Sequence, residues 1–238
     1  MPIISFLSGS KQKFIIPVSR IHKLTGRKWF DFDYSKFDPP KPSDHPLLIS
    51  YFADPSSILE KLEIRYMNDQ VGHGLYATKE IPKDTVIGFV SGKLKKLSAA
   101  EVDFDPKNPT TLIQSGTVSY DDFGNIYIVD SSKKSNHTHY IQHLPSDKML
   151  LELDITEENR EMISTGNLSE HTLNHKGFDL TYFCTDRDIK EGELIGCPYQ
   201  VNTNEIKMHE HDYCFFTKDG KIITYNDLTT AFYFKLIC

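Results

Sequence analysis

Cysteine is scarce in this chain, and its scarcity excludes a first class of fold. Cys184, Cys197, Cys214 and Cys238 are the only four in 238 residues, too few and too scattered for a disulfide framework. Long apolar runs are missing as well. No stretch approaches the roughly twenty residues of a membrane span, and the opening MPIISFLSGSKQKF lacks the layout of a secretory leader. Positive charge is in deficit: 27 lysines and arginines face 33 aspartates and glutamates, for a formal net charge of −6. A surface that tracks phosphates needs the opposite balance, whereas an acidic one suits basic peptides. No repeat appears at solenoid periods. The expectation is a soluble intracellular protein of a reducing compartment, cytoplasm or nucleus, with no direct nucleic-acid or membrane partner. Export into a host cell and the oligomeric state stay open.

What is present is enough apolar material for one core: 39% hydrophobic residues, 12% of the chain aromatic. Residues 1–57 read as an N-terminal extension, with an aromatic cluster (Trp29, Phe30, Phe32, Tyr34, Phe37) expected to pack on the main domain. Its proline-rich end DPPKPSDHP forbids regular helix. Asp54-Pro55, Ser57 and Glu60 signal a short helical turn, and Leu62, Ile64 and Tyr66 alternate as a strand. Ser98 and Glu101 form a second capping signal. Ile126 to Val129 reads as a buried strand and Met149 to Ile155 as strand-like. Thr156-Glu157-Glu158 starts a helix with acids at its positive end. The polar stretch STGNLSEHTLNHKG reads as turn-rich, its His171, Asn174 and His175 as surface loop residues. Leu180, Tyr182 and Cys184 alternate as a strand with one buried face. Asn226 reads as the cap of a last helical turn, and Ala231 to Ile237 closes the chain.

Three ordered strings carry more. The first is VGHGLYATKEIPKDTVIGFVSGKL, where Gly72 and Gly74 bracket His73 and allow a sharp turn and close approach to a ligand. The second is NIYIVDSSKKSNHTHYIQHLP, with Val129-Asp130, Asn136, Tyr140, Ile141 and His143. The third is CTDRDIKEGELIGCPYQ, with Arg187-Asp188-Ile189, Gly192-Glu193-Leu194 and Tyr199. In order and spacing these resemble the SET-domain lysine methyltransferases, whose strings run G-x-G-L-F-A…, …N-x-A-R-F-I-N-H-S-C-x-P-N and A-x-R-D-I-x-x-G-E-E-L-x-x-D-Y. The resemblance covers about residues 58–200. Departures stand at Asp84 for Gly, His139 for Arg, Gln142 for Asn, Leu144-Pro145 for Ser-Cys and Pro198 for Asp.

The resemblance implies a mainly β chain with short helices (β-rich α+β), a fold of small sheets with a C-terminal pseudoknot. It would comprise a catalytic domain over 58–200 with an insert around 156–178, and a segment 201–238 packing on it. The pseudoknot would bring Gln142, His143 and Tyr199 beside the Gly72–Gly74 loop. The implied activity is methyl transfer from S-adenosyl-L-methionine to a lysine of a protein or peptide, a histone among the candidates. The implied cofactor residues are Gly72, His73, Gly74, Tyr76, His139, Tyr140, Gln142 and His143. Tyr199 and Tyr120 are the implied catalytic pair, with Tyr120 and Cys197 along the substrate channel. Cys197 stands where the family often has a bulky aromatic, which leaves room for di- or trimethylation. The alternative is a SET-like domain that has lost catalysis and binds peptides or acts as a scaffold. No metal is expected. The family's C-x-C-x4-C zinc motif is absent, and Cys197, His209, His211 and Cys214 have ligand chemistry without an established spacing. Tyr213, Phe215 and Phe216 are expected to pack over the domain instead.

Overall fold

Leu62 and Ile64 alternate with Glu63 and Arg65, and the apolar pair is buried while its neighbours stay half-exposed. That period of two builds β2 (Leu62–Asn68), which pairs with β1 (Ile15–Pro17) on one side and β3 (Gly72–Ala77) on the other. The computed structural model describes residues 15–17, 48, 51, 54, 56–69, 71–96, 116–120, 125–130, 136–175, 178–198, 203–208 and 213–228. The remaining strands are β4 (Val86–Phe89), β5 (Lys93–Lys96), β6 (Gly116–Tyr120), β7 (Ile126–Asp130), β8 (Gln142–His143), β9 (Leu168–His175), β10 (Phe178–Thr185), β11 (Leu194–Cys197), β12 (Cys214–Phe216) and β13 (Ile222–Thr224). They form small sheets, in the orders β1-β2-β3-β11-β8, β4-β10-β9, β5-β7-β6 and β12-β13. Short helices connect them, so the chain is β-rich, as its sequence implied. No helix among the described residues is long and apolar enough to cross a membrane.

The main core lies between the first three sheets, around Ile64, Leu75, Ile81, Ile87, Phe89, Tyr182, Ile189 and Ile195. Strand β10 is buried on both faces, not one. Thr181, Phe183 and Thr185 are buried as well as Leu180, Tyr182 and Cys184, so neighbouring elements cover both faces of the strand. Its polar groups are met within the fold: the Thr185 hydroxyl donates to Pro82 O at 2.8 Å and accepts from Thr85 N at 2.9 Å.

Two further readings change. Met149 to Ile155 is not a strand: residues Asp147–Glu152 are helical, capped by the Ser146 hydroxyl, which accepts from Met149 N. Met149, Leu150 and Leu153 are buried at intervals of one, three and four, which suit a helix face better than a period of two. The stretch read as a polar loop contains β9, paired along its whole length with β10. Thr156 does start a helix (Glu157–Met162), its hydroxyl accepting from Asn159 N. The last described helical turn, 225–228, is capped by Thr224 with Asp227, not by Asn226.

A second, smaller core joins segments far apart in sequence. Leu150, Leu153 and Ile163 from the 147–163 region meet Ile206 of the helix Thr203–Met208 and Phe215, Tyr225 and Leu228 beyond it. Neither segment could bury its apolar face alone. The Tyr225 hydroxyl closes this core with a hydrogen bond to Leu153 O at 3.2 Å. Phe215 and Phe216 are both buried, as the aromatic run after Tyr213 led one to expect. The cluster Trp29–Phe37 and the Ser98–Glu101 signal lie outside the described residues.

Candidate functional site

The site is built where β11 lies between β3 and β8. Leu194 and Ile195 pair antiparallel with Tyr76 and Leu75 of β3, while Gly196 and Cys197 pair parallel with Gln142 and His143 of β8. Gly196 is required at this crossing. A Cβ there would stand 2.3 Å from Leu144 Cγ and 2.8 Å from Gln142 O, so only a bare backbone fits.

Asn167 secures the inserted strand from the other side. Its side-chain amide donates to Leu194 O at 2.9 Å, its side-chain oxygen accepts from Gly196 N at 3.0 Å, and its own N–H donates to Gly196 O at 3.0 Å. Asn167 is fully buried, and the reading of its stretch as a surface turn passed it over. The signal available was an Asn just before a strand, a residue able to donate and accept at once.

The third motif string explains itself locally. Arg187 pairs with Glu193, whose other oxygen accepts from Lys190 N. Burial would raise the Glu193 carboxyl, but the Arg187, Lys190 and Asn167 hydrogen bonds outweigh it and hold the group below its usual range. Asp188 accepts from Lys83 N at 2.8 Å, and Ile189 bridges Ile81, so the turns before β4 and β11 are tied together. In the first of those turns Asp84 sits at φ 61°, the left-handed region that favours glycine.

The Gly72–Gly74 segment is the start of strand β3 and not a loop. Of the two, only Gly72 has the left-handed backbone, at φ 81°, and nothing among the described residues lies within 4 Å of the position its Cβ would take. Its backbone is therefore open to close approach. His73 is buried between the rings of Tyr66 and Tyr140. Gln142, one methylene longer than an asparagine, reaches across to donate to His73 O at 2.9 Å. This bond joins the first and second motif strings, as do those that Asn136 and Thr138 donate to Phe89 O. Its side-chain oxygen has no hydrogen bond among the described residues. Tyr140 is 4% exposed, and burial pushes its hydroxyl up to about 12. That hydroxyl has no hydrogen-bond partner among the described residues.

His139 points outward at the end of the 3-10 helix His137–Tyr140, its ring edge-on to Tyr140, and desolvation lowers its pKa. Asn136 begins that helix, its side chain accepting from Thr138 N and donating to Phe89 O. His143 is half-buried. Burial lowers its pKa to about 4 against a smaller opposing effect from the Cys197 backbone, so it is neutral at pH 7. Tyr213 of the C-terminal segment packs edge-on against His143, a neighbour that the sequence did not reveal.

Tyr76 stands apart from this group. It shares the other face of the sheet with Met67 and Leu194 and lines a groove of about 770 Å³ that also contains Arg65, Arg187, Lys190 and Phe216. None of Gly72, His73, Gly74, His139, Gln142 or His143 borders that groove. Cys197 is 3% exposed, beside His143 in register. Burial pushes its thiol up to about 12, with the Glu170 and Asp186 carboxylates adding to the effect, so it carries no charge at neutral pH. Tyr120 ends β6 opposite Ile126. Tyr199, His209 and His211 lie outside the described residues. Among the described residues no group of three or more histidine, cysteine, aspartate or glutamate side chains is placed to hold a metal.

The model of the SET domain matches residues 72–200, more than half of the chain. The chain belongs to the SET-domain family. The match spans all three strings and the strands they form, so the SET domain here comprises β3 through β11 and carries the 147–163 helices within it. No curated protein matches the chain. Among solved structures the chain is similar to ATXR5 in complex with histone H3.1 mono-methylated on an arginine, at 15% identity and a TM-score of 0.45. The likeness covers 69% of this chain and 71% of that one.

Proposed function

We propose that this SET-domain protein is an S-adenosyl-L-methionine-dependent protein lysine N-methyltransferase acting on a lysine of a basic protein or peptide, with histone tails the first candidates. The observation that supports it most is the hydrogen bond from Gln142 to His73 O. Despite the longer side chain, the second motif string still meets the first one beside the inserted strand.

The residues present fit the cofactor. Gly72 offers open backbone, and Gln142 keeps an uncommitted side-chain oxygen able to accept from an ammonium group. The Tyr140 hydroxyl is a buried donor lacking a partner among the described residues, a group that ordinarily finds one. Gly72, His73, Gly74, Tyr140, Gln142 and His143 would hold it, with His139 at the rim. Bound there, S-adenosyl-L-methionine supplies an electrophilic methyl group.

The protein's own task is to present a neutral amine. Removing the proton from a lysine at pH 7 costs about 4–5 kcal/mol against its reference pKa near 10.4. An apolar, water-poor channel lowers that cost because it disfavours the ammonium. Cys197 contributes a small, buried, uncharged wall to the channel. Its neutrality also keeps a competing thiolate away from the methyl donor. Tyr199, two residues on, is the group we assign to orienting the amine, with Tyr120 further along the channel. A second reading, a peptide-binding module without catalysis, draws on Leu144, which fills the crossing with apolar bulk where the family pattern has serine.

Isothermal titration with S-adenosyl-L-methionine, run on the wild type and on Tyr199→Phe, tests the proposal. Micromolar binding by both, with methyl transfer to lysine peptides lost only in the variant, is the expected result. Absence of any cofactor binding by the wild type would leave the binding module.

A further inference from the structure

The groove of about 770 Å³ beside Tyr76 has no part in the proposed reaction, although its volume is that of a ligand cleft. Its floor is apolar. Met67, Leu194 and Phe216 form one cluster with the Tyr76 ring, and Met67 and Tyr76 keep part of their surface exposed. Two turns of the same composition line it, Lys190-Glu191-Gly192 before β11 and Lys218-Asp219-Gly220 between β12 and β13. Each ends on a glycine at φ 83°, and each lysine is exposed. Charge changes sign here. The whole chain has more acids than bases, but Arg65, Arg187, Lys190 and Lys218 line the groove against Glu191, Glu193 and Asp219. Glu193 is engaged by Arg187, and Asp219 by Lys221 at 2.6 Å. Arg65 pairs with Glu63 and covers the Tyr76 ring at 4.7 Å. The Lys190 ammonium has neither hydrogen bond nor ion pair among the described residues. That of Lys218 meets only an uncharged carbonyl, Glu161 O at 2.7 Å. Two cations without counter-ions therefore stand over an apolar floor, with the exposed Glu191 as the single unengaged acid.

We propose that this groove docks an acidic segment of a partner protein. An apolar side chain of that segment lies on the floor, and carboxylates on either side of it meet Lys190 and Lys218. The apolar contact supplies most of the affinity, and the two ammonium groups set sign and register. A lysine-rich segment is repelled by the same groups, so this partner differs in chemistry from the proposed substrate. Two unpaired cations are too few to follow a polyanion, and Met67 and Leu194 offer no ring for a base to stack on, which sets nucleic acid aside. Arg65, Met67 and Phe216 to Gly220 lie outside the residues 72–200 that match the SET domain, so segments flanking the domain complete the groove. The inference does not depend on the protein being an enzyme.

Fluorescence anisotropy with a short fluorescein-labelled peptide of alternating glutamate and phenylalanine tests the docking. Lys190→Gln and Lys218→Gln change exposed side chains outside the cores. Each should weaken binding about threefold and the pair about tenfold, the scale of exposed charge pairs. Glu191→Gln should act in the opposite direction and tighten it. Lys79→Gln with Lys83→Gln removes the same charge away from the groove and should leave binding unchanged. Replacing the phenylalanines of the probe by alanine should weaken it more than any single lysine change. Failure of the wild type to bind the probe overturns the proposal, as does an equal loss in the Lys79 and Lys83 control. Tighter binding of a single-stranded oligonucleotide, or displacement of the peptide by S-adenosyl-L-methionine, overturns it too. Cofactor titration on the same proteins separates the two ideas. A protein that transfers methyl but ignores the probe loses the groove alone. One that binds the probe with these charge effects and no cofactor keeps the groove and loses the enzyme.

Discussion

Adding one methyl group at the crossing of β11 should be among the most damaging small changes in the chain. In Gly196→Ala the new Cβ would lie 2.3 Å from Leu144 Cγ, 2.5 Å from its Cδ1 and 2.8 Å from Gln142 O. Carbon contacts are comfortable only near 3.5–4 Å. Leu144 cannot swing aside cheaply, since it is fully buried against Leu194 and Phe216. Gln142 O belongs to the backbone that sets the β8–β11 register. Overpacking of this kind costs about 1–3 kcal/mol, and a clash with backbone puts it at the upper end. For a chain of this size that corresponds to a melting temperature lower by roughly 5–10 °C. Urea denaturation followed by tyrosine and tryptophan fluorescence measures the loss. Combining the change with Leu144→Ala tests the cause: the truncation makes room, so the double variant should be less unstable than the sum of its parts. Strictly additive losses, or a Gly196→Ala protein within about 0.5 kcal/mol of wild type, would refute the argument.

Three other outcomes follow from the site. Asn167→Ala leaves Leu194 O and Gly196 N without their buried side-chain partners, at about 1–3 kcal/mol for each. Chemical denaturation should therefore show a loss of several kcal/mol, whereas an exposed Asn would cost almost nothing. His143 is held neutral by burial, its pKa lowered from 6.5 to about 4. The unfolded chain takes up that proton first, so His143 contributes stability above pH 6.5 that drains away as pH falls toward 4. Melts across that range should decline, and His143→Gln should flatten this part of the curve. If transfer is observed, mass spectrometry should show di- or trimethyl product for the wild type and a shift to monomethyl for Cys197→Phe. Strictly monomethyl wild-type product would contradict the small-residue argument.

The parts legible in the sequence were those whose chemistry is local. Arg187, Asp188, Ile189, Gly192 and Glu193 make a turn that ties itself together, and their spacing announced it. The meeting of Gln142 with the Gly72–Gly74 segment could be expected only through the family resemblance, because sixty-nine residues separate Gln142 from His73. Where burial came from distant partners, periodicity failed. Met149, Leu150 and Leu153 were read as strand-like, and their other wall, Ile206, Phe215, Tyr225 and Leu228, lies more than fifty residues on. Leu180 to Thr185 showed an alternation that burial of both faces of β10 made irrelevant. Asn167 was hidden by its own polarity, since a residue typical of surface turns was serving as an interior clamp.

The placement of β11 also sets the order of events when this chain is made. Leu194 and Ile195 must find Tyr76 and Leu75, more than a hundred residues earlier, and Gly196 and Cys197 must find β8 at the same moment. Contacts so distant carry a large loop-closure cost and are formed slowly. Until residue 197 has left the ribosome, one edge of β3 and the strand β8 lack the neighbour they have in the finished sheet, and unpaired edges are where a growing chain is most exposed to wrong partners. Completion of the β3–β11–β8 crossing is thus coupled to completion of synthesis through the domain.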